Sequence, residues 1–303
     1  TTESYTVPAT VSEIGAWAFF GNKTLRTIDL NQAIMVRKYA FAECSNLTAI
    51  SADKIKYAEI GVVEETPWLN NKTNDFIMLG GSLLEYRGSA KAVSLETAVS
   101  ISPFAFAENK NLKSITIKNG LVNIGERAFY KCENLSAVYM NNTNQMVFIG
   151  TNVFGRNAAG RKIYVPRNLY DEYKENTFWK QYSDSLTVHQ TVIKFNSNGG
   201  SACADGSVEY LGYVGELPVP EKEGYKFLGW YDTPDFAGRK IDAGLSWDSM
   251  EAEVTLYAKY EEKKPIVYSI NYYPNGGSIA AGAVHTYTAE DDVILPTATK
   301  SGY

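Results

Sequence analysis

Few side chains in this 303-residue chain are of a type that does covalent, metal or acid–base chemistry, and their spacing argues against each use. The cysteines are Cys44, Cys132 and Cys203, and the histidines are His189 and His285. Zinc or dithiol chemistry calls for Cys-x-x-Cys or an equivalent ligand spacing, which is not found here. A nucleophile must have a base beside it, yet the chain contains no Gly-x-Ser-x-Gly elbow, His-Glu-x-x-His helix or phosphate-cradling glycine loop. The carboxylate pairs Glu64-Glu65 and Asp291-Asp292 have the type needed for acid–base catalysis, but read more simply as solvated charge. The expectation is a protein without catalytic residues, cofactor or metal.

The bulk composition narrows the partners. Charged residues make up 21% and the formal net charge is −5, so no basic field exists to hold a phosphate backbone or an anionic lipid surface. Nucleic acid is therefore not an expected partner. No run approaches the ~18 apolar residues of a membrane span, and direct membrane insertion is not expected. Twenty-one tyrosines are more than a bare core requires.

The elements that must position any functional residue come from internal repetition. One frame reads Ile14-Gly15, Ala18-Phe19, Leu25, Ile28, Leu30. It returns as Val36, Ala40-Phe41, Leu47, Ile50; as Ile101, Ala105-Phe106, Leu112, Ile115, Ile117; and as Ile124-Gly125, Ala128-Phe129, Leu135, Val138, Met140. A looser copy carries Ile149-Gly150, Phe154, Ile163 and Val165. Phe19 and Phe41 are 22 residues apart, Phe106 and Phe129 are 23 apart, and the stretch from Phe41 to Phe106 spans three periods. Two divergent rungs are thus expected in residues 53–98, around Thr66-Pro67-Trp68 and Phe76-Ile77-Met78-Leu79. Leu25-x-x-Ile28-x-Leu30 alternates as a strand does. Because one repeat cannot bury its own Phe and Leu, stacked parallel strands of a solenoid are expected. Cys44 and Cys132 fall three residues after the repeat Phe, where other copies carry Asn22 and Asn109, a place for a small polar group that satisfies turn backbone. That is a structural role rather than a redox one.

This frame resembles the BspA-like, or treponemal-type, leucine-rich-repeat family, whose unit reads Ile-Gly-x-x-Ala-Phe followed by Leu-x-x-Ile-x-Leu-Pro. Val7-Pro8 and Ile163-Tyr164-Val165-Pro166 carry the closing part of that pattern. Arg37 and Ser102 depart from it, standing where the unit has Gly. The segment from Leu169 to Lys174, with Trp179 and Tyr182, looks like the family's C-terminal cap. The chain opens at Thr1-Thr2-Glu3-Ser4-Tyr5 almost directly on a repeat, so a leader and further repeats are expected ahead of it.

After His189 the texture changes. Phe195-Asn196-Ser197-Asn198-Gly199-Gly200 returns as Tyr272-Tyr273-Pro274-Asn275-Gly276-Gly277, a unit of 77 residues. Asn-Gly between strand-like runs predicts a turn with two positive-φ residues. With Gly224-Tyr225-Lys226-Phe227-Leu228-Gly229-Trp230 and Thr255-Leu256-Tyr257-Ala258, residues 190–260 resemble the Listeria-Bacteroides, or internalin B-type, repeat. That resemblance implies a small β-grasp-like spacer, with the Phe-x-Gly-Trp aromatics as its core. The fold class expected overall is mainly β with short helical or turn segments, a leucine-rich-repeat solenoid followed by β-grasp-like modules. Its divisions are 1–188 for the solenoid and cap, 189–262 for the first β-repeat, and 263–303 for a truncated second one.

Binding, if it occurs, is expected on the outward strand positions of the solenoid. Arg26, Asp29, Lys113, Thr116 and Tyr139 are the candidates, with Trp68, Tyr86 and Arg87 of the divergent stretch as an alternative surface. The family resemblance implies an extracellular protein of the bacterial cell surface, adhering to a host or matrix protein or glycoprotein. The alternative is an architectural surface protein that associates with itself or with other bacterial surface proteins.

Overall fold

The computed structural model describes residues 2–142, 144–249, 251 and 253–302. Two units make up the chain: Thr1–Val192 with Ser207–Gly215 and Gly244–Ala252, and Ile193–Gly206 with Glu216–Ala243 and Glu253–Tyr303.

In the first unit each regular rung contributes two short parallel strands, one at the Ile-Gly pair and one at Leu-x-x-Ile-x-Leu. The Ile-Gly strands Glu13–Ile14, Met35–Val36 and Tyr57–Ala58 pair in register Ile14↔Val36↔Ala58. This ladder stops and resumes with Ser82–Tyr86, Ser100–Ile101, Asn123–Ile124 and Phe148–Ile149, in register Leu83↔Ile101↔Ile124↔Ile149. The second ladder behaves alike. Ser4–Thr6, Thr27–Asp29 and Ala49–Ser51 form one part, and Ala92–Leu95, Ser114–Ile117, Ala137–Met140, Lys162–Tyr164 and Leu186–Thr187 form the other.

Both ladders break at the third and fourth rungs, the two divergent ones expected in residues 53–98. In place of the third rung's long strand stands a helix, Pro67–Asn70, because Thr66 caps it and Pro67 supplies a helical φ at no cost in lost donors. The Thr66 hydroxyl accepts from the Leu69 amide at 3.2 Å. An antiparallel hairpin, Phe76–Leu79 with Ser82–Tyr86, follows.

The core is a column of repeat aromatics. Phe19 stacks on Phe41 at 5.1 Å, and past Val63 the column continues through Tyr86, Phe106, Phe129 and Phe154 at 4.8–5.4 Å. Each such pair adds about 0.5–1.5 kcal/mol beyond its burial. The asparagine–cysteine row works as its position predicts. Asn22 and Asn109 accept the amides of Leu25 and Leu112, whereas the Cys44 and Cys132 thiols each donate to the repeat Phe carbonyl one rung back, at 3.0 Å. All three cysteines are free. The last rung is sealed by Tyr170–Glu175 and the turn after it. Tyr173 Oη accepts from the Val147 amide, Tyr182 Oη accepts from Phe154, and the Trp179 indole donates to the Val147 carbonyl at 2.7 Å.

In the second unit Tyr225–Tyr231 pairs antiparallel with Glu253–Glu262 and with Lys240–Ile241. Trp230 is buried against Phe195 and Phe227, and its indole donates to Pro218. Asn198 and Gly199 have φ of 48° and 84°, Asn275 and Gly276 of 52° and 80°, so both Asn-Gly turns adopt the same left-handed pair. Beyond residue 262 two strand pairs form, Tyr268–Ser269 with Thr286–Tyr287 and Ser278–Ile279 with Ala298–Thr299. None of the described residues there is buried.

Candidate binding surfaces

The outward strand positions occupy two separate ladders. On the first, Arg26 is exposed and pairs with Glu3 at 3.4 Å, while the Asp29 carboxylate accepts from the Asn31 amide. On the second, Lys113 is exposed, and its side chain makes no hydrogen bond or ion pair among the described residues. Thr116 and Tyr139 are half-buried cross-strand partners. Tyr139 stacks on Tyr164 at 4.8 Å, and His189 sets its edge against both rings. Burial, and then the neighbouring Tyr164, raise the Tyr139 phenol above its ordinary value. The register thus pairs Thr116 with Tyr139 and sets Asp29 on another ladder, while Lys113 and Arg26, expected as strand positions, each lie one residue before the strand, ahead of Ser114–Ile117 and Thr27–Asp29.

The alternative surface divides differently. Trp68 and Tyr86 are buried, Tyr86 between Phe76 and Phe106. Of the three residues only Arg87 reaches solvent, donating to the Lys72 carbonyl and pairing with Glu85 at 2.8 Å. Large aromatics in a divergent stretch are drawn into the core because the rungs above and below still need something to stack on.

A groove that the sequence frame did not reveal lies at the break. Five residues separate the strand residue from the column residue in every regular rung, as from Ile14 to Phe19 or Ile101 to Phe106. In the fourth rung Leu83 and Tyr86 are only three apart, and no described residue between Gly80 and Phe104 has positive φ. The regular rungs bulge outward there through a left-handed residue, namely Trp17, Tyr39, Gly61, Phe104, Arg127 or Asn152. The fourth rung lacks that bulge, so its neighbours, two rungs apart at about 4.8 Å each, leave a slot. Tyr39 forms one end of it by lying over Gly61, where a Cβ would come within 2.4 Å of its ring. Phe104 stands at the other end. The cavity, about 360 Å³, is lined also by Glu59, Glu64, Leu69, Leu84 and Glu85. A second, more apolar hollow of about 430 Å³ shares Glu59 and Pro103 with it and runs on past Met35, Tyr57, Val122 and Phe148.

Both departures from the repeat unit turn out to belong to this break. Arg37 clamps Glu13 and Glu59 of the flanking rungs, each at 2.8 Å. Its hydrogen bonds hold the Glu13 carboxyl below the usual carboxylate range. Ser102 joins Ser82 and Ser100 in a buried hydroxyl seam: Ser82 Oγ lies 3.1 Å from Ser102 Oγ and 2.8 Å from Ser100 Oγ. Ser82 Oγ also accepts from the Ala58 amide, and Ser100 donates to the Lys56 carbonyl. Side-chain hydroxyls there take up backbone groups of the interrupted ladder.

The BspA-type leucine-rich-repeat region matches residues 1–71 and 82–204, in six copies. The chain belongs to the BspA-type leucine-rich-repeat family. The gap in the BspA-type match, residues 72–81, falls on the first strand of the inserted hairpin. The Listeria-Bacteroides repeat domain matches residues 192–259. Among solved structures, a leucine-rich-repeat protein of T. pallidum is similar over 57% of this chain and 82% of its own, at 18% identity and a TM-score of 0.28. Two curated relatives, both from Evansella cellulosilytica, are named as a Gly-rich membrane protein and a membrane protein. They are 37% identical over 91 residues and 33% identical over 95 residues. Each match covers 30% of this chain, and 10% and 13% of the relatives' own lengths. The BspA-type repeats give the chain a protein-interaction role of the kind found at bacterial surfaces. No helix among the described residues is long and apolar enough to cross a membrane. No group of three or more His, Cys, Asp or Glu side chains among them is placed to hold a metal ion.

Proposed function

We propose that the chain is a non-enzymatic adhesion segment of an extracellular surface protein, in which the solenoid binds a host or matrix protein or glycoprotein and the β-repeats act as a spacer. The domain limits that go with this reading are 188 and 262. One observation carries it: the core of every regular rung is filled by its own frame, so the residues left over point outward. Thr116 and Tyr139 then stand side by side on adjoining strands, with Lys113 exposed just before the first of them, and Tyr139 is of a type that interface hot spots favour. Arg26 and Asp29 offer a second, smaller patch.

The test is capture of host matrix proteins and mucins by the immobilised chain, with Lys113→Ala and Tyr139→Ala alongside. Saturable capture that either variant weakens supports adhesion through the strands. Self-association that grows with concentration, without capture of any panel member, would replace it with the architectural reading.

A further inference from the structure

The slot left by the shortened fourth rung and the second hollow beside it, which share Glu59 and Pro103, make a groove with two chemically distinct halves. Met35, Tyr57, Val122 and the exposed ring of Phe148 make one apolar. The other has an aromatic ring at each end, Tyr39 and Phe104, with Glu59, Glu64 and Glu85 between them and no basic residue in the lining. Glu59 is neutralised by Arg37 and Glu85 by Arg87, at 2.8 Å each. Glu64 has no such partner: its side chain makes no hydrogen bond or ion pair among the described residues. The rings themselves are already engaged, Tyr39 stacked on Trp17 at 4.5 Å and Phe104 under the Arg127 guanidinium at 5.9 Å, so the attraction for a cation comes from the unpaired carboxylate. The Lys or Arg of a partner answers that charge, and its aliphatic stem suits the walls.

We propose that this groove docks an extended segment of a partner protein in which an apolar side chain fills the Met35–Phe148 half and a Lys or Arg side chain enters between Tyr39 and Phe104 to pair with Glu64. The inference rests on the reading of the chain as a protein-binding surface and names a site and a partner chemistry for it. Gly61 is a specificity determinant in this arrangement, since any side chain there would displace Tyr39 from the wall.

The experiment titrates the full chain with a capped hexapeptide of alternating Leu and Lys, its Leu–Glu counterpart, and cellohexaose, following heat and the amide signals of Gly61, Leu84 and Phe104. The Leu–Lys peptide should bind saturably, shift those amides, and weaken as salt is raised. The other two probes should leave them unmoved. Glu64→Gln, an exposed and unpaired position, should weaken binding about fivefold or more; Glu133→Gln, exposed on another rung, should not. Shifts centred elsewhere, equal effects of the two substitutions, or binding of cellohexaose instead would overturn the proposal. Capture of matrix proteins separates the two readings. Capture that Glu64→Gln leaves unchanged keeps adhesion and removes the groove, whereas peptide binding in the groove with no matrix protein captured removes adhesion alone.

Discussion

The fifth to seventh rungs and the fourth rung are built on the same unit, and they differ by two residues between strand and column. In the regular rungs those residues form a left-handed bulge, the ladder continues, and bulge and column amides such as those of Phe104, Phe106, Arg127 and Phe129 donate to carbonyls of the next rung. In the fourth rung the column is kept, through Tyr86, while the bulge is lost. The outcome is a groove on the outside and, on the inside, a seam of serine hydroxyls stitching the ladder. Repetition therefore secures stability cheaply, and a short departure from it makes a concave feature that no regular rung possesses.

Substitutions in the column are the strongest way to break this comparison. Phe129→Ala, in a regular rung, should cost about 3–5 kcal/mol of stability by urea melts. Val63→Ala, at the position where the column already lapses, should cost only about 1–2 kcal/mol. Equal costs would mean that the rungs are not energetically distinct. Next in size are the polar replacements. Cys132→Ala removes the donor to the Phe106 carbonyl, and Ser102→Ala removes one member of the seam; each should cost about 1–2 kcal/mol, with Cys132→Ser recovering part of the first.

Thiol chemistry gives a smaller but sharper contrast. Burial pushes the Cys132 thiol up from 9.0 to about 12. A thiol whose pKa is raised in the fold stabilises it fully below the ordinary thiol value, and that contribution is lost as pH rises from about 9 toward 12. At pH 8 a thiol reagent should label Cys203, which is partly exposed, and spare Cys44 and Cys132 until urea is added. Native labelling of Cys132 would contradict the rung packing. The smallest effect concerns Arg37. The Glu13 carboxyl is depressed by it, so the clamp's support is present at neutral pH and disappears as pH falls through that depressed value. Arg37→Gln should thus lower the melting temperature slightly at pH 7 and by less at pH 2.

Much of the architecture was legible because periodicity is a strong signal. The 22–23-residue spacing of Phe located the rungs, the count of periods between Phe41 and Phe106 located two divergent ones, and Asn-Gly located both left-handed turns. Cys44 and Cys132 were readable as structural because they shared a position with Asn22 and Asn109. The surface was harder to read. Trp68 and Tyr86 have the composition of a binding patch, and only three-dimensional stacking decides that they are core. The groove was missed because it arises from residues that are absent: spacing Leu83 against Tyr86 would have exposed the shortfall, but only with the strand register known. Arg37 and Ser102 were visible as departures, without their partners in neighbouring rungs.

The most direct measurement is hydrogen–deuterium exchange of the full chain, free and saturated with whichever matrix protein or mucin it captures. Recognition by the solenoid requires new protection within residues 2–188, at the strands around Lys113 and Tyr139 or at the groove segments 57–64 and 84–104, with residues 192–259 unchanged. Protection confined to residues 192–259 would place recognition in the β-repeat and overturn the division of labour between the two modules.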